Sequence, residues 1–184
     1  ERARTRFNNP QTPDNIKAQL FYYLNRNCYN GLPRWSLKKG EFNSPFGAYK
    51  TINYLQDFAQ EKEAIAKWEF RCTPFRETLQ DVEPTAFIYA DPPYYSKNQM
   101  FTSYWGKFGW SDQVGLAQLL SKHPGPVVAS NSDDEEIIML YSDLGFQVEL
   151  IDVRRSISCK ASSRGMKKES LITKNVENKL VSVA

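Results

Sequence analysis

The chain has 184 residues, of which 41% are hydrophobic and 24% are charged, and its formal net charge is +3. These values are typical of one soluble globular domain, and no apolar run approaches the roughly 20 residues that a membrane-spanning helix needs. The three cysteines are widely spaced, which argues against a disulfide framework or a metal-ligand cluster and indicates a reducing cytoplasm. A single histidine, His123, excludes most zinc sites and any mechanism that needs a histidine elsewhere.

The first third of the chain predicts two helices on either side of a β-hairpin. Thr12-Pro13-Asp14 has the residue types of a helix start: a hydroxyl N-cap, proline at the first helical position and an acid near the positive end of the helix dipole. We expect this helix to run to about Asn27. Residues 34–49 predict a β-hairpin that turns at Lys38-Lys39-Gly40, and residues 51–68 predict the second helix.

The rest of the chain alternates predicted strands and helices. The apolar run at residues 86–90 predicts a buried strand, and Ser111 predicts a helix N-cap. The aromatic-rich loop between them predicts a functional lid. This alternation indicates an α/β fold with a mixed, mostly parallel sheet flanked by helices. The predicted strands cover residues 69–72, 86–90, 126–131, 145–153 and 169–173, and the predicted helices cover residues 75–80, 135–143 and a segment after Ser111.

The most informative motif is Asp91-Pro92-Pro93-Tyr94, at the carboxyl end of the apolar run. The prolines fix the backbone and remove two N–H donors. A carboxylate and a carbonyl can both accept hydrogen bonds from one NH₂ group, while Tyr94 offers a ring for stacking. The combination suits an exocyclic amine on a flat heterocycle, such as N6 of adenine. The alternative is an ordinary strand-to-loop turn, in which Asp91 caps a neighbour.

Residues 153–168 form a basic segment without acidic residues. Serines and a glycine interleave the basic residues, which predicts a flexible loop suited to phosphate contacts, or else a solvated surface loop. The basic residues are Arg154, Arg155, Lys160, Arg164, Lys167 and Lys168.

Five motifs follow one another in chain order: Tyr29-Asn30-Gly31-Leu32, Gly40-Glu41-Phe42-Asn43, Pro45-Phe46-Gly47, Asp91-Pro92-Pro93-Tyr94 and Arg154-Arg155-Ser156-Ile157-Ser158. Together they resemble the DNA adenine N6-methyltransferases of the GATC-methylating type from bacteria and phages, over residues 12–173. The resemblance implies a seven-stranded mixed sheet with S-adenosylmethionine at the carboxyl ends of its strands. It also implies a target-recognition region at 1–68, the C-terminal part of the catalytic core at 69–184, and a cytoplasmic, nucleoid-associated monomer that acts on double-stranded DNA as one or two copies.

The same resemblance implies roles for the residues of the Asp91-Pro92-Pro93-Tyr94 motif. Asp91 and the Pro93 carbonyl would hold the N6 amine of an adenine flipped out of the duplex, and Tyr94 would stack on its ring. Asp91, Pro74 and Phe75 would contact the cofactor, and no metal is required.

For DNA, Tyr29 and Asn30 would help to extrude the adenine, and Arg34 is the residue expected to bind a guanine. Leu32 and Pro45 would also read the site. Lys38, Lys39, Tyr49, Arg154, Arg155, Lys160 and Arg164 complete the expected DNA contacts.

The sequence departs from the family pattern in three places. The turn at residues 36–40 is one residue longer than expected, and Ala48 stands where relatives often have a basic residue. The Phe-x-Gly-x-Gly loop that holds the methionine part of the cofactor is absent from the chain. We therefore expect that the N-terminal part of the sheet is missing from this chain and lies in a longer enzyme or in a second polypeptide. We also expect the 184 residues alone to have negligible methyltransferase activity.

Two alternatives remain open. The protein could be a catalytically inactive DNA-binding relative that keeps Arg34 and the basic segment but binds no cofactor. It could also methylate another DNA sequence, an RNA adenine or a protein side-chain amide. The hairpin favours DNA, and protein-amide relatives usually carry asparagine at the position of Asp91.

Overall fold

The computed structural model describes residues 1–36, 38–97, 108–155 and 165–176. The chain divides into two compact units. The first unit contains Glu1–Glu69, and the second unit contains the described residues from Phe70 onward. In the described part of the chain, no helix is long and apolar enough to cross a membrane.

The regular elements of the first unit are mainly helices, and its core is small. Its helices are α1 (Arg2–Asn8), α2 (Asp14–Asn27) and α3 (Ala59–Ala64), with a short 3-10 helix at Tyr29–Gly31. The predicted end of α2 is confirmed, but its predicted N-cap is wrong. Pro13 is the N-cap, and the Thr12 hydroxyl donates instead to the Arg6 carbonyl at 2.6 Å. The buried core residues of this unit are Leu24, Cys28 and Phe42.

The predicted hairpin is present as a short antiparallel pair. Trp35 bridges Phe42, the Asn43 N–H donates to the Arg34 carbonyl at 2.9 Å, and Gly40 at the turn has a φ of 68°. Glycine adopts this left-handed conformation without a steric cost. Asn8 completes the pairing from α1, because its side chain both donates to the Phe42 carbonyl (2.9 Å) and accepts from the Phe42 N–H (2.8 Å).

Two predicted elements next to the hairpin are wrong. Helix is limited to Ala59–Ala64 instead of 51–68, and residues 69–72 form no strand. Side chains of α2 form hydrogen bonds with backbone groups that would pair with other backbone groups in the longer helix. Arg26 donates to the Asn53 carbonyl at 2.5 Å, and the Tyr22 hydroxyl accepts from the Leu55 N–H at 2.7 Å.

The second unit contains a four-stranded mixed sheet flanked by helices, which confirms the predicted α/β class. The strand order is β1-β2-β4-β3, where β1 and β2 are parallel and the other two pairs are antiparallel. The strands are β1 (Ile88–Ala90), β2 (Val127–Ser132), β3 (Gln147–Arg155) and β4 (Gly165–Lys174). The helices are α4 (Phe75–Gln80), α5 (Trp110–Lys122) and α6 (Glu135–Asp143).

The core of the second unit lies between the sheet and the helices α5 and α6. Along β2, buried and half-buried residues alternate, because every second side chain of a strand points toward the core. The buried core residues are Leu116, Ala117, Leu120, Val127, Ala129, Ile137, Tyr141, Phe146 and Ile172.

Three details differ from the sequence-based expectations. Strand β1 is not the buried strand that was expected, because Ile88 and Ala90 are only half-buried and Tyr89 is 60% exposed. Gly109 rather than Ser111 is the N-cap of α5, and its N–H donates to the Asp112 carboxylate at 3.0 Å. The basic segment is partly strand rather than loop, since β3 extends to Arg155 and β4 begins at Gly165.

Candidate active site

The Asp91 carboxylate lies directly after β1, where the parallel strand β2 also approaches its carboxyl end. Its Oδ1 accepts a hydrogen bond from the Ser130 hydroxyl of β2 at 2.8 Å, and the side chain is exposed to solvent. The Ser130 hydroxyl also lies 3.4 Å from the Tyr89 hydroxyl. The bond from Ser130 orients the carboxylate, and the carboxylate stays accessible to solvent. A group that accepts hydrogen bonds from a ligand needs both properties.

The two prolines carry the chain away from β1 and expose a carbonyl to a side chain of α5. Pro92 is buried and Pro93 is half-buried. The Pro93 carbonyl accepts a hydrogen bond from Gln113 Nε2 at 2.7 Å. A carbonyl oxygen has two lone pairs, so this bond leaves acceptor capacity for a second donor.

Tyr94 is half-buried and is attached through its hydroxyl to the sheet. The hydroxyl donates to Glu169 Oε2 of β4 at 3.0 Å. Burial raises the pKa of Tyr94 to about 12, and the nearby Ser130 hydroxyl only partly opposes it. The hydrogen bond to Glu169 and the charges of Glu169 and Asp91 raise it as well. The phenol therefore stays neutral at physiological pH, and the hydrogen bond from its hydroxyl to Glu169 holds the ring in place.

Tyr95 anchors the beginning of the aromatic loop. Its N–H donates to Asn131 Oδ1 at 3.0 Å, its hydroxyl donates to Glu136 Oε2 at 2.5 Å, and its ring lies 4.9 Å from that of Trp110. The hydrogen bond to Glu136 and burial raise the pKa of Tyr95 to about 12. The remaining aromatics expected in a lid, Phe101, Tyr104 and Trp105, lie outside the described residues.

In the first unit, the residues expected to contact DNA cluster around the 3-10 helix and the hairpin. The Tyr29 N–H donates to the Pro45 carbonyl at 2.9 Å, so these two residues are neighbours. Asn30 has a φ of 53°, a left-handed conformation that asparagine tolerates better than most residues. Tyr29, Arg34, Lys38, Lys39, Pro45 and Tyr49 are exposed, whereas Asn30 and Leu32 are half-buried.

A buried serine holds this cluster together. The Ser44 hydroxyl accepts from the Arg34 N–H at 2.5 Å and donates to the Leu32 carbonyl at 3.0 Å. Ser44 is 5% exposed. It therefore fixes the backbone at two positions expected to read DNA, although it cannot itself reach a ligand.

Similarity to known proteins identifies the family. A family model of the D12 class N6 adenine-specific DNA methyltransferases matches residues 2–157. The chain belongs to this family. It is 36% identical over 171 residues to the DNA N-6-adenine-methyltransferase of Escherichia phage P1, which covers 89% of this chain and 22% of that protein.

Two further methyltransferases have a similar percentage of residues identical to those of this chain. The DNA adenine methylase of Serratia marcescens is 37% identical over 161 residues, covering 82% of the chain and 57% of the relative. The type II methyltransferase M.MjaIII of Methanocaldococcus jannaschii is 34% identical over 174 residues, covering 89% of the chain and 59% of the relative. The chain thus spans well under two thirds of the length of these relatives.

Two of the three expected cofactor contacts, Pro74 and Phe75, lie at α4, and the third is Asp91 after β1. Pro74 is the N-cap of α4 and is exposed. Phe75 is half-buried and packs against the core, with its ring 5.7 Å from that of Phe108 and the Arg76 guanidinium 4.9 Å from its centre. Part of the Phe75 ring is therefore already used in packing.

The expected phosphate contacts in the second unit are only partly described. Arg154 is exposed on β3, and Lys167 and Lys168 are exposed on β4. The side chain of Arg155 and the residues Lys160 and Arg164 lie outside the described part of the chain.

Sequence reasoning missed four polar residues that hold the motif: Gln113, Ser130, Asn131 and Glu169. Gln113 offers the clearest signal, since it stands on the apolar stripe of α5 with Leu116, Ala117 and Leu120. A polar residue at a core position of an amphipathic helix needs a partner. That partner could not be identified without the fold.

Proposed function

We propose that this chain carries the acceptor half of a DNA methyltransferase that transfers a methyl group from S-adenosylmethionine to adenine N6 within GATC. The observation that supports the proposal is the pair of acceptors, the Asp91 carboxylate and the Pro93 carbonyl, followed at once by the anchored ring of Tyr94. Two acceptors beside an aromatic face suit an amine on a planar base.

The charges around Tyr94 fit a cationic donor. The carboxylates Asp91 and Glu169 both act on the pKa of Tyr94, and its phenol is neutral, so this end of the sheet carries negative charge. When bound, S-adenosylmethionine would supply an electrophilic methyl group on a positively charged sulfur. Negative charge and an aromatic face stabilise such a group.

The chain's own residues would prepare the amine for attack. The N6 lone pair is delocalised into the adenine ring, which makes the amine a poor nucleophile. Hydrogen bonds from its two N–H groups to Asp91 and to the Pro93 carbonyl would shift the nitrogen toward a tetrahedral geometry and direct its lone pair. The reaction then depends mainly on positioning, which can lower the barrier by several kcal/mol, on the order of 7 or more.

The substrate must be extruded from the duplex. An adenine inside a base pair cannot reach a pocket at the end of β1, so we propose that it flips out, at a cost of a few kcal/mol. Stacking on Tyr94 and the hydrogen bonds to Asp91 would offset this cost. The residues 1–68 would act as the target-recognition region, with Arg34 bound to a guanine of GATC, and 69–184 as part of the catalytic core.

A methylation assay with the complete protein that carries this chain tests the proposal. We expect labelled methyl groups to enter a duplex containing GATC and not duplexes in which one base pair of GATC is changed. Incorporation at another sequence would overturn the GATC assignment but keep the reaction. No incorporation, together with no heat on titration with S-adenosylmethionine and retained DNA binding, would identify a catalytically inactive relative.

A further inference from the structure

Two buried side-chain amides connect the core of the second unit to the motif. Gln113 of α5 is 1% exposed and Asn131 of β2 is 0% exposed. Asn131 Nδ2 donates to Gln113 Oε1 at 3.0 Å, and Gln113 Nε2 donates to the Pro93 carbonyl at 2.7 Å. At the other end, Asn131 Oδ1 accepts from the Tyr95 N–H at 3.0 Å and from the Ser132 N–H at 2.8 Å. The chain of bonds therefore starts and ends on the backbone of residues 93–95.

The backbone dictates the direction of every bond in this chain. The Pro93 carbonyl can only accept, so Gln113 must turn its NH₂ group toward it and its oxygen toward Asn131. Asn131 must then turn its NH₂ group toward Gln113 and its oxygen toward the two N–H groups. Neither amide can rotate by half a turn without placing two donors or two acceptors against each other.

The motif needs such support from outside. Pro92 and Pro93 have no N–H donors, so the backbone there cannot donate hydrogen bonds of its own. Burying two amides in a core is unfavourable unless all their groups are paired, and apolar residues of similar size would fill the space at a lower cost. The two amides therefore add direction rather than packing, and they add it at the backbone of the motif.

We propose that Gln113 and Asn131 are positioning residues that fix the backbone of the motif at Pro93 and the departure of the chain at Tyr95. The inference rests on the proposed function, since the position of the motif matters for catalysis only if the motif holds the substrate. Neither amide would touch the substrate, because both are buried.

The test is Gln113→Glu in the complete protein, because this nearly isosteric change replaces the donor to Pro93 with an acceptor. The matched control is Gln118→Glu, the same change at an exposed position of the same helix. Single-turnover methylation separates the two readouts that matter. The amplitude reports the fraction of folded enzyme, and the rate constant reports the geometry of the folded site.

We expect Gln113→Glu to lower the single-turnover rate constant on the order of ten- to a hundredfold, the effect of a misplaced reacting group. The dissociation constants for DNA and S-adenosylmethionine should stay within about twofold of the unmodified protein, since a shifted acceptor changes the rate more than the binding. Gln118→Glu should match the unmodified protein. If Gln113→Glu loses amplitude but keeps the rate constant, the amides are merely structural and the inference is overturned.

Two further measurements keep the inference falsifiable. If Gln113→Glu does not fold, Gln113→Met removes the donor with an uncharged side chain of similar length, and the same loss of rate is expected. If the unmodified protein methylates no adenine, the proposed function fails, and amide hydrogen exchange over residues 91–97 decides the inference. Exchange faster in Gln113→Glu than in Gln118→Glu supports the link between the amides and the motif, and equal exchange overturns it.

Discussion

The two units order their backbones by different means. In the second unit, ladder hydrogen bonds join β2, β4 and β3, and a core of buried residues on α5 and α6 covers one face of the sheet. In the first unit, single side chains form the hydrogen bonds that a neighbouring strand would otherwise form. Asn8 pairs with both backbone groups of Phe42, and Ser44 joins the backbone of Leu32 to that of Arg34.

This difference matches the demands that the proposed function places on the two units. A site that must hold one amine within a fraction of an ångström benefits from a rigid sheet. A surface that adapts to a duplex benefits from backbone held at a few points, since loops positioned by a scaffold commonly carry binding residues. The comparison predicts that chemistry, stability and sequence reading respond to different substitutions.

The largest expected effect is on chemistry. Asp91→Ala should lower the rate of methyl transfer by on the order of a hundredfold or more, because it removes one of the two acceptors that we propose for the amine. Salt-dependent DNA binding should persist, since the phosphate contacts are unchanged. Single-turnover methylation and a DNA titration at several salt concentrations measure the two effects, with Asp143→Ala as an exposed control. Near-normal turnover in Asp91→Ala would sink the hydrogen-bond account.

The core of the second unit should show the next largest effect. Leu120 is 0% exposed, so Leu120→Ala should lower the free energy of unfolding by about 2–5 kcal/mol. Met139→Ala on α6 is the control, because Met139 is 64% exposed and its removal leaves no cavity. Denaturant unfolding followed by circular dichroism measures both. Equal losses would show that the sheet core does not carry the stability of this unit.

In the first unit, a half-buried polar side chain should matter to a comparable degree. Asn8→Ala would leave the N–H and carbonyl of buried Phe42 without their present partner, which should cost about 1–3 kcal/mol. Asn53→Ala provides the control, since the Asn53 side chain is exposed. Hydrogen exchange of the Phe42 amide is the direct measurement. Unchanged protection would mean that Asn8 does not replace a strand partner.

Sequence reading should respond to Arg34 independently of turnover. Arg34→Ala should cost about 1–3 kcal/mol at one base pair and relax the choice of sequence, whereas Lys38→Ala should weaken binding to all duplexes alike. Methylation rates on GATC and on duplexes with one altered base pair distinguish the two. A uniform loss in Arg34→Ala would assign it to the phosphate backbone.

The smallest effect concerns Tyr141, whose buried hydroxyl has no hydrogen-bond partner among the described residues. Burial raises the pKa of Tyr141 to about 12. Because the phenol in the unfolded chain ionises near its ordinary pKa of 10.0, this contribution to stability is complete below that pH and is lost as the pH rises toward 12. Tyr141→Phe should change stability at neutral pH by less than about 1 kcal/mol.

Unfolding measured at several alkaline pH values checks the pH dependence. The loss of stability should be smaller in Tyr141→Phe than in the unmodified protein. An identical pH profile in the two proteins would show that Tyr141 does not ionise in this way.

The elements of the second unit could be predicted because their apolar spacing is local. The strands at 126–131 and 145–153 and the helix at 135–143 agree with β2, β3 and α6 within two residues. The helix expected at 51–68 failed because Arg26 and Tyr22, far away in the sequence, bind its backbone. Helical spacing carries no information about such distant partners.

The candidate site divides in the same way. Asp91-Pro92-Pro93-Tyr94 could be recognised because its chemistry is contained in four consecutive residues. Gln113, Ser130 and Glu169 could not, because they meet the motif only after α5, β2 and β4 have packed. Their roles depend on a fold that many individually weak contacts stabilise together.

Under the proposed function, the bond from Gln113 to the Pro93 carbonyl has a consequence for which bases the site accepts. A carbonyl that is already held in place by a donor cannot turn away, and Asp91 is likewise fixed by Ser130. A base with an oxygen in place of the amine, such as hypoxanthine or thymine, would meet two acceptors and no donor. Such an unpaired contact rejects a ligand by several kcal/mol, about 5 or more. Deaminated adenine would therefore be excluded by electrostatics alone, without any steric barrier.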